Sequence, residues 1–210
     1  MPKEKESEFS TAGWDAISAA LSARYPGQEE PIHYAPLVSW QLGGNDPLDG
    51  ISIYDGGDYY HFVTYGFSEL YEKEAEDAAY SGFGFELTLK LKKASIGADE
   101  ELELRNLCGV LQTLGRMSFE EGDVFRPLEY IYTGQTSGLD AAGISPITGF
   151  VTCLDELGEI ETPNGKVQFV QLVGMTDAEL RAAMDKRSTV EELLLKLGDT
   201  LTDYKRPSLC

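Results

Sequence analysis

Residues 83–91 constrain this chain more than any other segment. Phe83, Phe85, Leu87, Leu89 and Leu91 alternate there with Gly84, Glu86, Thr88 and Lys90. A period of two is the repeat of a β-strand, because successive side chains leave opposite faces of the pleat. The pattern predicts one buried face and one wetter face, and it demands partner strands and a covering layer. Three runs upstream meet the first demand. Residues 37–42 are apolar and end at Gly43-Gly44, residues 51–54 lie between Asp-Gly turn signals, and residues 59–65 are aromatic and β-branched. Downstream, residues 150–154 read as a strand. Residues 159–162 and 166–173 read as the arms of a hairpin, with Pro163-Asn164-Gly165 supplying the turn.

Helices provide the cover. Trp14, Ile17, Leu21 and Tyr25 recur at spacings of three and four after Ser10 and Thr11, and Pro26-Gly27 stops the run. Over residues 99–117, acidic residues crowd the first turn and Leu104, Leu107, Leu111 and Leu114 form a stripe. Two capping-box patterns, Thr176 with Glu179 and Ser188 with Glu191, open two final helices, and Gly198 closes the second. The acidic stretch 68–80 reads as a loop or a short helix, with a short strand near Ile131 and Tyr132 inside an otherwise irregular 118–149. Strands in the middle and helices around them predict an α+β domain. We expect a flexible N-terminus at 1–9, one domain over 10–200 and a C-terminal tail at 201–210.

Charge narrows the partners. The chain carries 36 acidic and 17 basic residues, a formal net charge of −19. Such a surface repels nucleic-acid phosphates and anionic lipid and attracts basic proteins. No apolar run approaches a membrane span, and the charged start MPKEKESEFS lacks the apolar core of a signal peptide. Cys108, Cys153 and Cys210 are odd in number and form no metal-ligand spacing, so reduced thiols in a cytoplasm are expected.

Catalytic signatures are scarce. The two histidines, His33 in an expected loop and His61 in a strand, are the chain's only histidine bases. A hydrolase would have to use His61 with Cys153 or an aspartate, and would show it exposed in a pocket. Asp46, Asp49, Asp55 and Asp58 lack the order of a calcium loop and suit turns instead. Gly82 and Gly84 precede a strand, where a phosphate loop would open a helix, so they mark a bulge or a close backbone approach. No cofactor and no metal are expected. Seven aromatic residues between Tyr54 and Tyr71 remain, and exposed tyrosines among them would suit a protein interface.

These segments carry a resemblance. DPLDGISIY at 46–54, HFVTYGFSELY at 61–71 and SGFGFELTLKLKK at 81–93 resemble the central signature of Suppressor of fused proteins. ETPNGKVQFVQLVGMTDAEL at 161–180 resembles the family's later block, and the likeness extends over about residues 30–200. It implies a single α+β domain with a mixed, largely antiparallel central β-sheet flanked by helices. It also implies a non-enzymatic role in binding a protein partner. Animal members match only in their N-terminal part and clamp a peptide between two lobes. This chain ends where the second lobe would begin, so the clamp is not carried over. Compact bacterial members imply an immunity protein that neutralises a toxin, and a peptide adaptor using a sheet edge is the alternative. The family's partner contacts map near 61–74, which nominates Phe62, Tyr65, Glu69, Tyr71 and Glu74 as a contact surface.

Overall fold

The computed structural model describes residues 10–74 and 79–210; the expected flexible segment 1–9 and residues 75–78 of the acidic stretch lie outside the described residues. In chain order the elements are α1 (Ala12–Arg24), β1 (Ile32–Tyr34), β2 (Gly50–Asp55), β3 (Tyr59–Tyr65), β4 (Tyr80–Lys92), α2 (Glu100–Arg116), β5 (Tyr130–Ile131), β6 (Ile147–Thr162), β7 (Gly165–Thr176), α3 (Asp177–Met184) and α4 (Val190–Leu197). The strands form one seven-stranded sheet in the order β1-β2-β3-β4-β7-β6-β5. Every neighbouring pair is antiparallel except β4 and β7, so the sheet is mixed, as the resemblance implied.

Both faces of the sheet are covered. On one, Ile51, Ile53, Phe62, Leu87, Leu89 and Leu91 meet the leucine stripe of α2. On the other, Val63, Tyr65 and Phe169 pack under Ile17 and Leu21 of α1, while Val151 and Val173 pack under Leu180 of α3 and Leu193 of α4. This double cover overturns the expected wetter face of β4: Glu86 and Thr88 are 0% exposed and Lys90 is 6% exposed. A strand between two helical layers has no wet side, so its polar residues must find partners inside.

The ends of the elements follow local chemistry, with some corrections. Asp99 caps α2 by accepting from the backbone N–H of Leu102, and α2 widens into one π turn at Met117–Glu121 that closes at Gly122. The capping box of α3 is Thr176 with Glu179, as read from the sequence, but that of α4 is Thr189 with Glu192, one residue later than expected. Residues 37–42 form no strand; Leu37 and Leu42 are exposed and Trp40–Leu42 is a single 3-10 turn. The strand lies earlier, at Ile32–Tyr34, so His33 sits on an edge strand instead of a loop. Residues 150–154 and 159–162 belong to one strand, β6, kinked where its register to β7 shifts between Leu154 and Glu159.

The last ten residues return over the sheet. Thr202 bridges Leu91, Tyr204 is buried, and Arg206 reaches Glu179 at the start of α3.

Candidate protein-contact site

The polar face of β4 is where the sheet collects its charges. His61 of β3 faces Asp155 of β6 with Nε2 3.3 Å from Oδ2, and both side chains are fully buried. The Nδ1 of His61 lies 2.7 Å from the Tyr25 hydroxyl at the end of α1. Thr88 donates to Asp155 Oδ2 at 3.0 Å, the backbone N–H of Leu157 donates to Oδ1 at 2.8 Å, and Lys90 Nζ stands 3.3 Å from Oδ2. Burial works against ionising Asp155, but His61, the Leu157 N–H and Lys90 outweigh it and hold the group below the ordinary carboxylate range. Burial lowers the pKa of His61, so the neutral imidazole is favoured, accepting from Tyr25 and turning Nε2 toward Asp155.

Such a His-Asp pair resembles half of a catalytic triad but lacks access. A general base must reach a substrate proton, and His61 is 0% exposed with protein groups at both nitrogens. The hydrolase reading loses its premise on this geometry. The thiols point the same way, since burial pushes Cys108 up to about 12 and Cys153 up to about 11, far from a reactive thiolate. Among the described residues, no group of three or more His, Cys, Asp or Glu is placed to hold a metal ion.

The five nominated contact residues divide. Phe62 and Tyr65 are 0% exposed and point to opposite faces of β3, into the α2 core and the α1 core respectively. Neither offers a surface, which corrects that part of the expectation: a strand covered on both sides hides both of its faces. Tyr71 is half-buried against the α1 core, and Glu74 is exposed. Glu69 is half-buried, pairs with Lys73 at 3.1 Å and accepts from the backbone N–H of Glu74 at 2.7 Å.

The corner that carries them is pinned from below. Glu86 Oε1 accepts from the N–H groups of Gly66 and Ser68 and from the Ser68 hydroxyl, while Oε2 meets the Thr64 hydroxyl at 2.6 Å. Burial pushes the Glu86 carboxyl up to about 7 against the pull of these donors. From the side, Asn164 Nδ2 donates to the carbonyls of Glu69 and Tyr71 at 2.7 and 3.0 Å. An Asn-Gly hairpin turn commonly holds both residues at positive φ, yet only Gly165 adopts one there, at +114°. The Asn164 side chain ties the β6–β7 turn to the 69–71 corner, a role that no local pattern announces.

Open surface lies elsewhere. β1 is one edge of the sheet, and among the described residues no strand pairs with its outer side. Ile32 is 47% exposed there, and His33 is exposed. Beside β1 runs a groove of about 560 Å³, lined by Glu29, Glu30, Ile32, Ile53, Asp55 and Tyr60 among others. A second groove of about 460 Å³ lies between the start of α2 and residues 140–146, with Glu103 and Tyr204 in its wall. Sequence reading missed the β1 edge, though a signal was present: Ile32-His33-Tyr34 sits between Pro31 and Pro36, and prolines flank strands chiefly at sheet edges.

Comparison with known proteins agrees with this architecture. The family model of the Suppressor of fused protein matches residues 44–207. The human Suppressor of fused homolog is 30% identical over 185 residues, covering 81% of this chain and 37% of that protein, and the mouse homolog matches to the same extent. The chain thus spans well under half the length of these relatives. Among solved structures, a chain of the Sufu–Fu complex superposes with a TM-score of 0.78 at 29% identity, covering 94% of this chain and 92% of that one. Drosophila Suppressor of Fused superposes with a TM-score of 0.77 at 28% identity, covering 97% of this chain and 53% of that one.

Proposed function

The chain belongs to the Suppressor of fused family, and from that premise we propose that it is a non-enzymatic, cytoplasmic protein-binding domain of the immunity type, which neutralises a basic toxin by direct contact. One observation carries the binding reading. The chain of the Sufu–Fu complex that it resembles is matched over 92% of its length, so a domain of this extent takes part in a protein complex. The net charge of −19 supports a cationic partner, because a field of that sign speeds encounter with a basic protein and discourages acidic ones. Catalysis has little support, since His61, in its buried pair with Asp155, is closed to substrate.

Affinity capture with the purified chain at low and at moderate salt tests the reading. One stoichiometric, basic protein is expected, weakened by salt as screening shortens the reach of the field. Co-expression of the chain with that protein is then expected to restore growth of cells that the protein alone kills. Absence of any stoichiometric partner at low salt overturns the binding reading, and a partner that is harmless to cells overturns the immunity reading. A second reading, a peptide adaptor, is favoured by one feature: the open edge of β1 next to a groove.

A further inference from the structure

We propose that the outer edge of β1 and the groove beside it form a docking site for an extended, lysine- or arginine-bearing peptide segment, which adds to the sheet as an eighth strand. The inference rests on the protein-binding reading and gives it a place and a partner chemistry.

An open edge presents backbone N–H and C=O groups whose natural complement is another strand. Its three residues between Pro31 and Pro36 limit how long a partner strand can pair, but β1 carries no lysine and no covering strand among the described residues, and Ile32 on it is 47% exposed, so a short segment can add there. The groove continues the edge toward Gly27. Its floor is apolar, made by Ile53, paired to Ile32 in the sheet, and by Tyr60. An added strand sends every second side chain to this face, so aliphatic stems would cover Ile32 and Tyr60.

Charge selects the occupant. Asp55 on the groove wall is already paired with Lys93, which also lies 4.4 Å over the Tyr60 ring. Glu29 and Glu30 are exposed on the same wall and make no side-chain hydrogen bond or ion pair among the described residues. A lysine or arginine rests its stem on apolar surface and carries its charge to the rim, which matches an apolar floor under two unpaired glutamates. A second copy of the chain fits badly. Edge-to-edge pairing of two β1 strands would bring four of these glutamates together between molecules of net charge −19.

The test uses the full chain, labelled with nitrogen-15, and two fluorescent heptapeptides, one alternating lysine with valine and one alternating glutamate with valine. The lysine peptide is expected to bind, with amide shifts concentrated at Ile32, His33 and Tyr34, and the glutamate peptide is not. Replacing both wall residues, Glu29→Lys with Glu30→Lys, is expected to weaken the lysine peptide by about tenfold. Glu120→Lys with Glu191→Lys, an equal change of net charge at exposed positions, is expected to change it by no more than about twofold. No binding of the lysine peptide, shifts centred elsewhere, or equal losses in the two variants overturns the site. A captured protein partner that still binds the Glu29→Lys, Glu30→Lys variant at full strength also overturns it, while leaving the protein-binding reading intact.

Discussion

Glu86 and Asp155 are both buried carboxyl groups, yet their surroundings drive them in opposite directions. Asp155 faces a lysine and a histidine, whereas Glu86 faces only hydroxyls and backbone N–H groups, and neutral donors offset burial less than a cation does. Glu86 therefore stays protonated in the fold up to about pH 7, above the 4.5 of an unperturbed glutamate. The folded state binds the extra proton, so this group's contribution is full below the unfolded pKa and fades as pH rises through the interval to about 7. The change is about 3 kcal/mol by linkage. Glu86→Gln imitates the protonated acid, with its amide N–H toward Thr64, and does not titrate. Urea unfolding from pH 4.5 to 8 is expected to show the native chain losing stability relative to the variant across that interval; parallel profiles would refute the assignment. Asp155→Asn removes the buried one of the two carboxylates that face Lys90, the other being Glu156 at 3.0 Å, and is expected to cost about 1–3 kcal/mol. Adding Lys90→Met should return part of the loss, and a single variant as stable as the parent would show that the pair contributes nothing.

At the scale of elements, the β6–β7 hairpin acts on a distant corner. Its turn needs Gly165 for a φ of +114° and a close approach to Tyr80, where an added Cβ would stand 2.6 Å from the backbone carbon. Asn164 is free to do something else, and it binds the carbonyls of Glu69 and Tyr71. Asn164→Ala removes both bonds from carbonyls of two half-buried residues and is expected to cost about 1–3 kcal/mol. Hydrogen exchange should locate the loss in the 66–71 corner, with the amides of Ile160 and Val167 in the hairpin unchanged. Equal acceleration in both places would mean that Asn164 serves the turn itself. The α4 cap shows how close local signals can be to the truth. Ser188 and Thr189 both precede the helix, and the frame is decided by Glu192, which accepts from the Ser188 hydroxyl and the Thr189 N–H while Thr189 accepts from the Glu192 N–H.

For the whole molecule, the closing event is the return of the C-terminal segment. Glu179, capping α3, accepts from both terminal nitrogens of Arg206 and from the N–H of Leu209. Burial opposes its ionisation, and Arg206 with the backbone N–H groups of Thr176 and Leu209 overrides that and lowers its pKa. Glu179→Gln leaves the guanidinium without its counter-charge and is expected to cost about 3–5 kcal/mol. Carboxypeptidase digestion should then trim residues 201–210 faster than in the native chain. Unchanged digestion and unchanged stability together would show that the segment is held by Tyr204 and Thr202 alone.

Legibility followed the range of the forces involved. The strand at 83–91, the leucine stripe of α2, the Thr176 capping box and the stop at Gly198 were all readable, because each is decided by neighbours within a turn or a pleat. The resemblance supplied the mixed sheet, which no local pattern encodes. The failures share one cause. Phe62 and Tyr65 are nominated as a surface because the family's contacts map near their strand, and β4 is given a wet face because its alternate residues are polar. Residues 37–42 were read as a strand because they are apolar. Each reading depends on which layer comes to lie on top. By itself, the sequence determined the helices, most of the strands and the sign of the surface charge, through period, capping and composition. The tertiary structure alone decided that the sheet is covered twice, that His61, Asp155 and Glu86 are sealed within it, and that β1 is left open. Burial and edge exposure are properties of packing between segments far apart in the chain, and a local pattern holds no record of them.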